Sequence, residues 1–407
     1  MTIKNLKDAT QLKLICSFIS LYIISSVLDT PLSIKIILYL FSFSSLIYYL
    51  DLRSTFLSGF KDYFLYLIFI LICLISFILI YDKNNQLPYF PQIENIIFLF
   101  LLFILLIKFQ PHYVQLMNYL TKITAIFLLF SIPIHFFLYQ STFLTATSFI
   151  NDVDNSFAST KNTFVVYLNI IISFAIFKFS KKKNTLNFLI IIIIALGIFY
   201  TFSRAGLILL ALNLLLFFLS MNKNLILTTL IIGASFLFLL IIFQVTPSKY
   251  TELKTNTNIQ IGGDYYETEN INKTFTTESA RVDYIVKSLN GFLERPIFGH
   301  GITSFRKNHP VFDVNGEYVR NPPTHNDYAQ VLYEQGIIGI LSFLSLFLFN
   351  FFRLIKNFSK NRDQVTILMI QLTILAIALN TINLLDHAIF WFIMAVTLLN
   401  NKKNTLN

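Results

Sequence analysis

The stretch TLNFLIIIIIALGIFYTFSRAGLILLALNLLLFFLS occupies residues 185–220 and holds a single charged side chain, that of Arg204. A membrane-spanning helix needs about 20 consecutive, mostly apolar residues. The stretch is long enough for two such helices, which meet at the tetrapeptide TFSR, residues 201–204, with almost no loop between them. It therefore predicts a membrane protein in which a basic residue stands at the start of a span.

Apolar runs of similar length recur along the chain, and about twelve of them are candidate spans. The composition agrees, because 55% of the 407 residues are hydrophobic and only 13% are charged. A soluble chain of this size could not hide so much apolar surface from water. We therefore predict an all-α integral membrane protein. The candidate spans are 12–28, 32–50, 63–81, 93–109, 121–139, 162–179, 185–202, 204–220, 224–243, 327–351, 364–381 and 383–400.

The distribution of basic residues gives the orientation of these spans. If the N-terminus is cytoplasmic, 18 of the 31 Lys and Arg residues fall in cytoplasmic segments and 4 fall in short outer segments. Cytoplasmic loops carry the excess of Lys and Arg in membrane proteins. The bias predicts that both termini face the cytoplasm. The net charge of +10 is then explained by topology, and no nucleic-acid partner is predicted.

A long polar loop divides the chain into three predicted parts. Residues 1–243 hold the first nine spans, residues 244–326 form the large outer loop, and residues 327–407 hold the last three spans and a short cytoplasmic tail. This arrangement puts both ends of the loop at the outer membrane face. Any chemistry carried by the loop is therefore expected outside the cytoplasm.

Part of this loop has the pattern of a helix. Residues 278–294 carry apolar side chains at helical spacing, and Pro296 is expected to end the helix. Gly299 and Gly301 then predict a turn. We expect the loop to form a small, partly helical cap on the outer face of the membrane.

Arg204 is placed against its local electrostatic preference. Ser203 is a good capping residue for the helix that Arg204 begins. A helix N-terminus already attracts anions, so an arginine gains nothing from the dipole there. A phosphate-bearing ligand would explain the placement. The alternative is an arginine that extends to the lipid headgroups.

Four further residues are candidates for the site. His325 lies at or just before the start of the tenth span, where the helix dipole favours a neutral imidazole that can accept a hydroxyl proton. The alternative is a capping or loop histidine. Arg281 flanks the apolar face of the loop helix and either reaches a charged headgroup or is a solvated arginine, and Arg320 is a weaker case of the same kind. Asp386 lies near the outer end of the last span, where a carboxylate is costly unless it is paired or hydrated.

Taken in order, these features resemble a known superfamily. Ser203-Arg204 opening a span, Arg281 in a large outer loop, PIFGHG at 296–301, and His325-Asn326 followed by EQGIIG at 334–339 are similar to the O-antigen ligase and polymerase superfamily of bacterial inner membranes. The predicted topology also matches, with about twelve spans and a large periplasmic loop ahead of the histidine. The motifs cover only about residues 200–340.

The resemblance implies an inverting glycosyltransferase that moves a glycan from undecaprenyl pyrophosphate to an acceptor hydroxyl on the periplasmic face. It implies that Arg204 and Arg281 hold the donor pyrophosphate and that His325 deprotonates or orients the acceptor hydroxyl. No metal-ligand cluster is visible in the sequence, so a reaction without metal or other cofactor is predicted. Residues expected to support the site are Ser203, Arg320, Asn326, Asp327 and Asp386.

The acceptor separates the members of the superfamily. A ligase transfers O-antigen to lipid A-core, whereas a polymerase transfers it to another lipid-linked repeat unit. The run from His325-Asn326 to Gly336 and Gly339 resembles that of ligases, which favours the ligase. A protein O-oligosaccharyltransferase is disfavoured, because the resemblance implies that members of that branch are longer and carry an extra C-terminal region. A polysaccharide transporter or flippase also suits twelve spans, but its charged residues would lie in mid-span.

Overall fold

The chain folds into a bundle of apolar helices. The computed structural model describes residues 13–24, 37–42, 44, 60–79, 99–104, 106–107, 112–139, 161–201, 203–221, 260–261, 264–265, 277–309, 311–312, 318–320, 323–385 and 387–398. In chain order the labelled helices are α1 Lys13–Ile24, α2 Phe60–Leu79, α3 Tyr113–Tyr139, α4 Lys161–Lys181, α5 Thr185–Tyr200, α6 Arg204–Met221, α7 Thr277–Glu294, α8 Ser304–Asn308, α9 Asp327–Asn357, α10 Arg362–Ala378 and α11 Ala388–Thr397. The described residues 37–42 and 99–104 are also helical.

The described residues confirm the predicted all-α class apart from one small element. Four short strands form a small antiparallel sheet in the order β2-β1-β3-β4. Their bounds are β1 Gln260–Ile261, β2 Asp264–Tyr265, β3 Val311–Phe312 and β4 Tyr318–Arg320. All four fall within the predicted outer loop. Strands of two or three residues carry too little periodicity to be read from the sequence.

The helices confirm a membrane protein but test the number of spans only in part. Among the described residues, three helices are long and apolar enough to cross a membrane, namely Tyr113–Pro133, Asn162–Lys181 and Asp327–Asn357. Shorter apolar helices are Lys13–Ile24, Phe64–Ser76, Thr185–Tyr200, Ala205–Ser220 and Ala388–Thr397. The candidate span at 224–243 lies outside the described residues. The count of about twelve spans and the loop topology therefore stay predictions.

Helices α4 and α10 pack in opposite directions. Lys181 at the end of α4 forms an ion pair with Asp363 at the start of α10, with 2.5 Å between nitrogen and oxygen. Midway along both helices, the Gln371 side-chain amide donates to the carbonyl oxygen of Ile170 at 3.0 Å. The end of α10 therefore lies beside the start of α4.

The starts of α6 and α9 lie at this same end of the bundle. The Ser203 hydroxyl, at the start of α6, donates to Asn162 Oδ1 in the first turn of α4 at 2.9 Å. The Asp327 N–H, at the start of α9, donates to the Leu379 carbonyl at the end of α10 at 2.9 Å. We call this the site end of the bundle, because both predicted site motifs lie there.

The last helix begins later than the sequence predicts. The predicted span started at residue 383, whereas α11 begins at Ala388. The preceding residues form a turn whose N–H groups at Leu384 and Leu385 both donate to the Asp327 carboxylate. An acceptor from another helix thus replaces the helical acceptors that these N–H groups would otherwise need.

Candidate functional site

The start of α6 has the cap that the sequence predicts. Ser203 is buried, and its hydroxyl oxygen accepts the N–H of Gly206 at 3.3 Å. The Ser203 carbonyl accepts the N–H of Leu207 at 3.1 Å, which is the first helical bond. Arg204 is the first residue of α6, although the position of its side chain is not described. The backbone of this segment therefore agrees with a basic residue in the first turn of a helix at the site end.

His325 lies two residues ahead of α9, as predicted. Its φ angle is +56°, which is in the left-handed region that residues other than glycine rarely adopt. The neighbouring residues fix this turn: Asn326 Oδ1 caps α9 by accepting the N–H of Ala329 at 3.0 Å. The buried Thr324 hydroxyl donates to the Asn326 carbonyl at 2.7 Å and accepts the Asn326 N–H at 3.1 Å.

Strained backbone of this kind persists only where the surrounding structure holds it, and such residues cluster at functional sites. Asn326, predicted as a supporting residue, holds the strained turn through its capping bond. His325 is half-buried. The structure therefore holds His325 directly before α9 in a turn that the hydrogen bonds of Thr324 and Asn326 fix.

Asp327 connects the histidine turn to the segment between α10 and α11. Its Oδ2 accepts the N–H groups of Leu384 at 2.6 Å and Leu385 at 3.2 Å. Its Oδ1 accepts from the Asn383 side-chain amide at 3.0 Å. Asp327 is buried, so these bonds replace water around the carboxylate. The Asp327 side chain therefore joins the start of α9 to the turn that precedes α11, and its predicted support of the site stays a prediction.

Replacing Asp327 by alanine is expected to destabilise the protein by about 2–3 kcal/mol, because it leaves two N–H groups at 384 and 385 without their acceptor. The midpoint of thermal unfolding in detergent measures this loss. Asp363→Ala is the matched control. Asp363 is likewise a carboxylate at the start of a helix, but its side chain is 47% exposed and its partner is Lys181, and such exposed ion pairs contribute about 0–1 kcal/mol. A variant at Asp327 that melts with the wild type yet loses activity would instead indicate a direct role in the reaction.

A chain of polar side chains runs from this point along α9. The Asn383 amide donates to Gln330 Oε1 at 2.7 Å, and the Gln330 amide donates to Glu334 Oε1 at 3.2 Å. Glu334 is buried, and its carboxylate accepts the N–H groups of Thr303 and Phe305. The chain therefore connects the histidine turn with the loop residues at the start of α8.

The sequence assigned no role to Asn383, Gln330 or Glu334. A signal existed for two of them, because Asp327, Gln330 and Glu334 recur at three- and four-residue spacing on an otherwise apolar helix and so share one face. No comparable signal marks Asn383, which lies 56 residues from Asp327 in the chain. Only the packing of the segment before α11 brings it to the site end.

Helix α9 is broken at Gly336, where φ is +63° and ψ is −158°. The break leaves helical carbonyl and N–H groups that need other partners. The loop segment at residues 296–301 supplies them. The N–H groups of His300 and Gly301 donate to the carbonyls of Tyr333 and Glu334 at 3.0 and 2.7 Å, and the N–H of Ile337 donates to the Pro296 carbonyl at 2.8 Å.

The two glycine motifs of the resemblance therefore form one joint. Gly299 has φ of +68°, and a Cβ there would lie 2.5 Å from the Gln335 backbone nitrogen. A Cβ on Gly336 would lie 2.5 Å from the Ile297 carbonyl oxygen. Ser76 of α2 completes the joint, because its hydroxyl donates to the Glu334 carbonyl at 2.9 Å. We call this the α9 joint, defined by residues 296–301, residues 333–338 and Ser76.

Aromatic side chains fix α7 and α8 beside the α9 joint. The His300 ring stacks on Tyr333 with 4.6 Å between ring centres, and its Nε2 donates to the Gly291 carbonyl at 2.8 Å. Phe305 is fully buried against Tyr284 and Tyr333. Burial lowers the pKa of His309, which packs on Phe305, to about 4. These histidines therefore hold the loop to the bundle.

The remaining predicted site residues are less fully placed. Arg281 lies in the second turn of α7, and Arg320 ends β4 opposite Val311 of β3. The side chains of both arginines are not described, and Asp386 lies outside the described residues. The structure thus brings Ser203, His325, Asn326 and Asp327 to the site end. It does not test whether the three arginines converge there.

The described part of the chain is a membrane protein built from apolar helices. Its connected polar side chains are buried and begin at the start of α9, at the site end. Residues 188–344 match the family model described as O-Antigen ligase, Wzy_C. The match confirms the resemblance to the O-antigen ligase superfamily, a family of ligase- and polymerase-type membrane glycosyltransferases that use lipid-linked glycans. It spans α6, α7, α8, His325 and the two backbone segments of the α9 joint, residues 296–301 and 333–338. No curated protein matches the chain.

Proposed function

We propose that this protein is an O-antigen ligase that moves a glycan from undecaprenyl pyrophosphate to a hydroxyl of lipid A-core. The observation that carries the proposal is the position of His325. It stands in a strained, capped turn at the start of α9, inside the segment that matches the O-antigen ligase family. The ligase-like run from His325-Asn326 to Gly336 and Gly339 supports the ligase over the polymerase.

His325 is the proposed general base. Its ring nitrogen takes the proton of the acceptor hydroxyl while the acceptor oxygen forms a bond to the anomeric carbon of the donor glycan. The bond between that carbon and the pyrophosphate oxygen breaks, and undecaprenyl pyrophosphate leaves with the bonding electron pair. Attack from the face opposite the leaving group inverts the anomeric configuration. The energy comes from the activated donor, so no nucleotide is needed.

Arg204 and Arg281 are the proposed pyrophosphate ligands. A guanidinium group offers paired N–H donors that match phosphate oxygens, and its charge offsets the negative charge that grows on the leaving group. The capped start of α6 supports this role for Arg204, because free N–H groups of a first helical turn also bind anions. Arg320, Asn326 and Asp386 complete the proposed site, and the reaction is proposed to need no metal ion.

We also propose that the site end faces the periplasm from the bacterial inner membrane and that both termini are cytoplasmic. The excess of Lys and Arg in the alternate loops supports this orientation. A second observation supports it, because Lys181, one of the basic residues counted as cytoplasmic, forms its ion pair at the end of the bundle opposite to the starts of α6 and α9. A donor in the outer leaflet would then present its pyrophosphate at the site end.

Deletion and restoration of the gene in its native host tests this function on a lipopolysaccharide gel. A ligase predicts that every glycan band above core disappears while lipid-linked polymer accumulates. Core with a single repeat unit would instead identify a polymerase. An unchanged ladder would reject both O-antigen roles. The reaction is proposed to need no metal ion, so glycan transfer in membranes of the restored strain is expected to continue unchanged after treatment with a metal chelator.

A further inference from the structure

Helix α7 exposes an apolar stripe on the side that faces away from the bundle. Tyr284, Ser288 and Gly291 are buried and form the side that packs on α8 and α9. At about 3.6 residues per turn, another set of side chains points in the opposite direction. This set is Val282, Val286, Leu289 and Leu293, whose exposed fractions are 61%, 46%, 46% and 73%. The sequence predicted the apolar face of α7, but the structure shows that this face is not the one that packs on the bundle.

A third side of α7 is polar and lies between the apolar stripe and the side that packs on α8 and α9. We call it the polar flank. Lys287 and Asp283 form an ion pair there at 2.9 Å, one helical turn apart. Asn290 and Glu294 continue the same flank and are exposed. If water contacted both sides of α7 that do not pack on the bundle, both would be expected to carry polar residues. In α7 one of these sides is apolar and the other is polar. The division fits a helix that lies at a boundary between water and an apolar phase.

The apolar stripe continues across the α9 joint onto α9. Ile297 and Phe298 follow α7 and are exposed. The Pro296 and Ile297 carbonyls accept the N–H groups of Ile337 and Ile338, so this pair lies beside the start of the spanning part of α9. The exposed apolar side chains of that part recur at helical spacing. They are Ile337, Leu341, Leu344, Leu348, Phe352 and Ile355.

A spanning helix exposes such a row to lipid, because acyl chains are as apolar as the side chains they contact. The row on α9 therefore marks the lipid-facing surface of the bundle. The stripe on α7 is continuous with it through residues 297–298, whereas the packed side of α7 faces the protein. The lipid that contacts the exposed row on α9 is therefore expected to contact the apolar stripe on α7 as well.

We propose that α7 lies in the plane of the membrane and inserts its stripe among the acyl chains of the leaflet at the site end. The polar flank at Asp283, Lys287 and Asn290 then meets headgroups and water. Amphipathic helices bind membranes in this way when a large apolar side opposes a charged one. The proposal concerns an anchoring surface and holds whichever glycan the protein transfers.

Nitroxide labels on full-length protein in lipid nanodiscs test the depth of α7. Leu293→Cys carries the label on the stripe, Asn290→Cys on the polar flank, and Leu341→Cys on the lipid-facing row of α9. The native Cys16 and Cys73 are buried and are replaced by alanine. Collision with oxygen reports an apolar surrounding, and collision with a water-soluble nickel chelate reports water. The oxygen-to-nickel ratio at position 293 is expected to match that at 341 and to exceed that at 290 several-fold.

Two outcomes would overturn the proposal. Equal ratios at 290 and 293 would place the stripe in water. Low collision with both reagents at 293 would mean that protein, not lipid, covers the stripe. If a labelled variant does not fold, Leu293→Trp and Asn290→Trp allow the same comparison by quenching with brominated lipids. Quenching at 293 well above that at 290 is expected, and equal quenching would reject the proposal.

Discussion

His325→Ala is expected to lower the rate of glycan transfer by about two to four orders of magnitude, which is the usual contribution of a positioned base. The amount of folded protein should change little, because His325 lies outside α9 and the cap of that helix comes from Asn326. Transfer in isolated membranes, with lipid-linked glycan as donor and lipid A-core as acceptor, measures the effect.

His325→Asn is the sharper variant. Asparagine adopts left-handed backbone more readily than most residues, so it keeps the turn at φ +56° without adding strain. It cannot serve as a base near neutral pH. We expect it to be as inactive as the alanine variant and as stable as the wild type. Transfer within about tenfold of the wild-type rate would reject the base role, since even a weak general base contributes more than that.

Gly336→Ala is expected to lower the free energy of unfolding by about 3 kcal/mol or more. The backbone of Gly336, at φ +63° and ψ −158°, is almost inaccessible to alanine. The new Cβ would also lie 2.5 Å from the Ile297 carbonyl oxygen and 2.7 Å from the Pro296 carbonyl oxygen. Neither oxygen can move away easily, because both accept N–H groups of α9.

Heating followed by size-exclusion chromatography in detergent measures this loss, and transfer activity should fall with it. Gly197→Ala is the matched control, since Gly197 lies within α5 and the nearest atoms to its new Cβ belong to the Leu128 side chain, with the two terminal methyl groups at 2.8 and 2.9 Å. Alanine is favoured over glycine inside a helix by about 1 kcal/mol, which offsets that crowding. A Gly336 variant that melts together with the Gly197 variant would contradict the importance of the α9 joint.

Features that depend on neighbouring residues could be predicted from the sequence. The helix predicted at 278–294 is α7, Thr277–Glu294, and it ends before Pro296 as expected. The turn at Gly299 and Gly301 and the cap at Ser203 are confirmed as well. Each rests on spacing or local chemistry within a few residues, which is the range over which sequence patterns are informative.

Features that depend on distant contacts could not be predicted. A glycine within an apolar run does not by itself break a helix, because neighbouring elements decide whether freed backbone groups find partners. The break at Gly336 exists because residues 296–301 dock there. The late start of α11 likewise depends on Asp327, which lies 57 residues before Leu384. The direction of the apolar stripe on α7 depends on Tyr333 and Phe305 taking the opposite side.

The hydroxyl of Ser76 limits whether the segment that matches the family can be moved into another protein by itself. Residues 188–344 carry the family match, yet the α9 joint also uses a donor from α2, more than a hundred residues upstream. A chimera that exchanges only the matched segment between two relatives carries the broken helix but not the residue that completes its hydrogen bonding. The matched segment thus depends on one hydroxyl of an otherwise apolar part of α2, and grafting experiments should transfer residue 76 together with it.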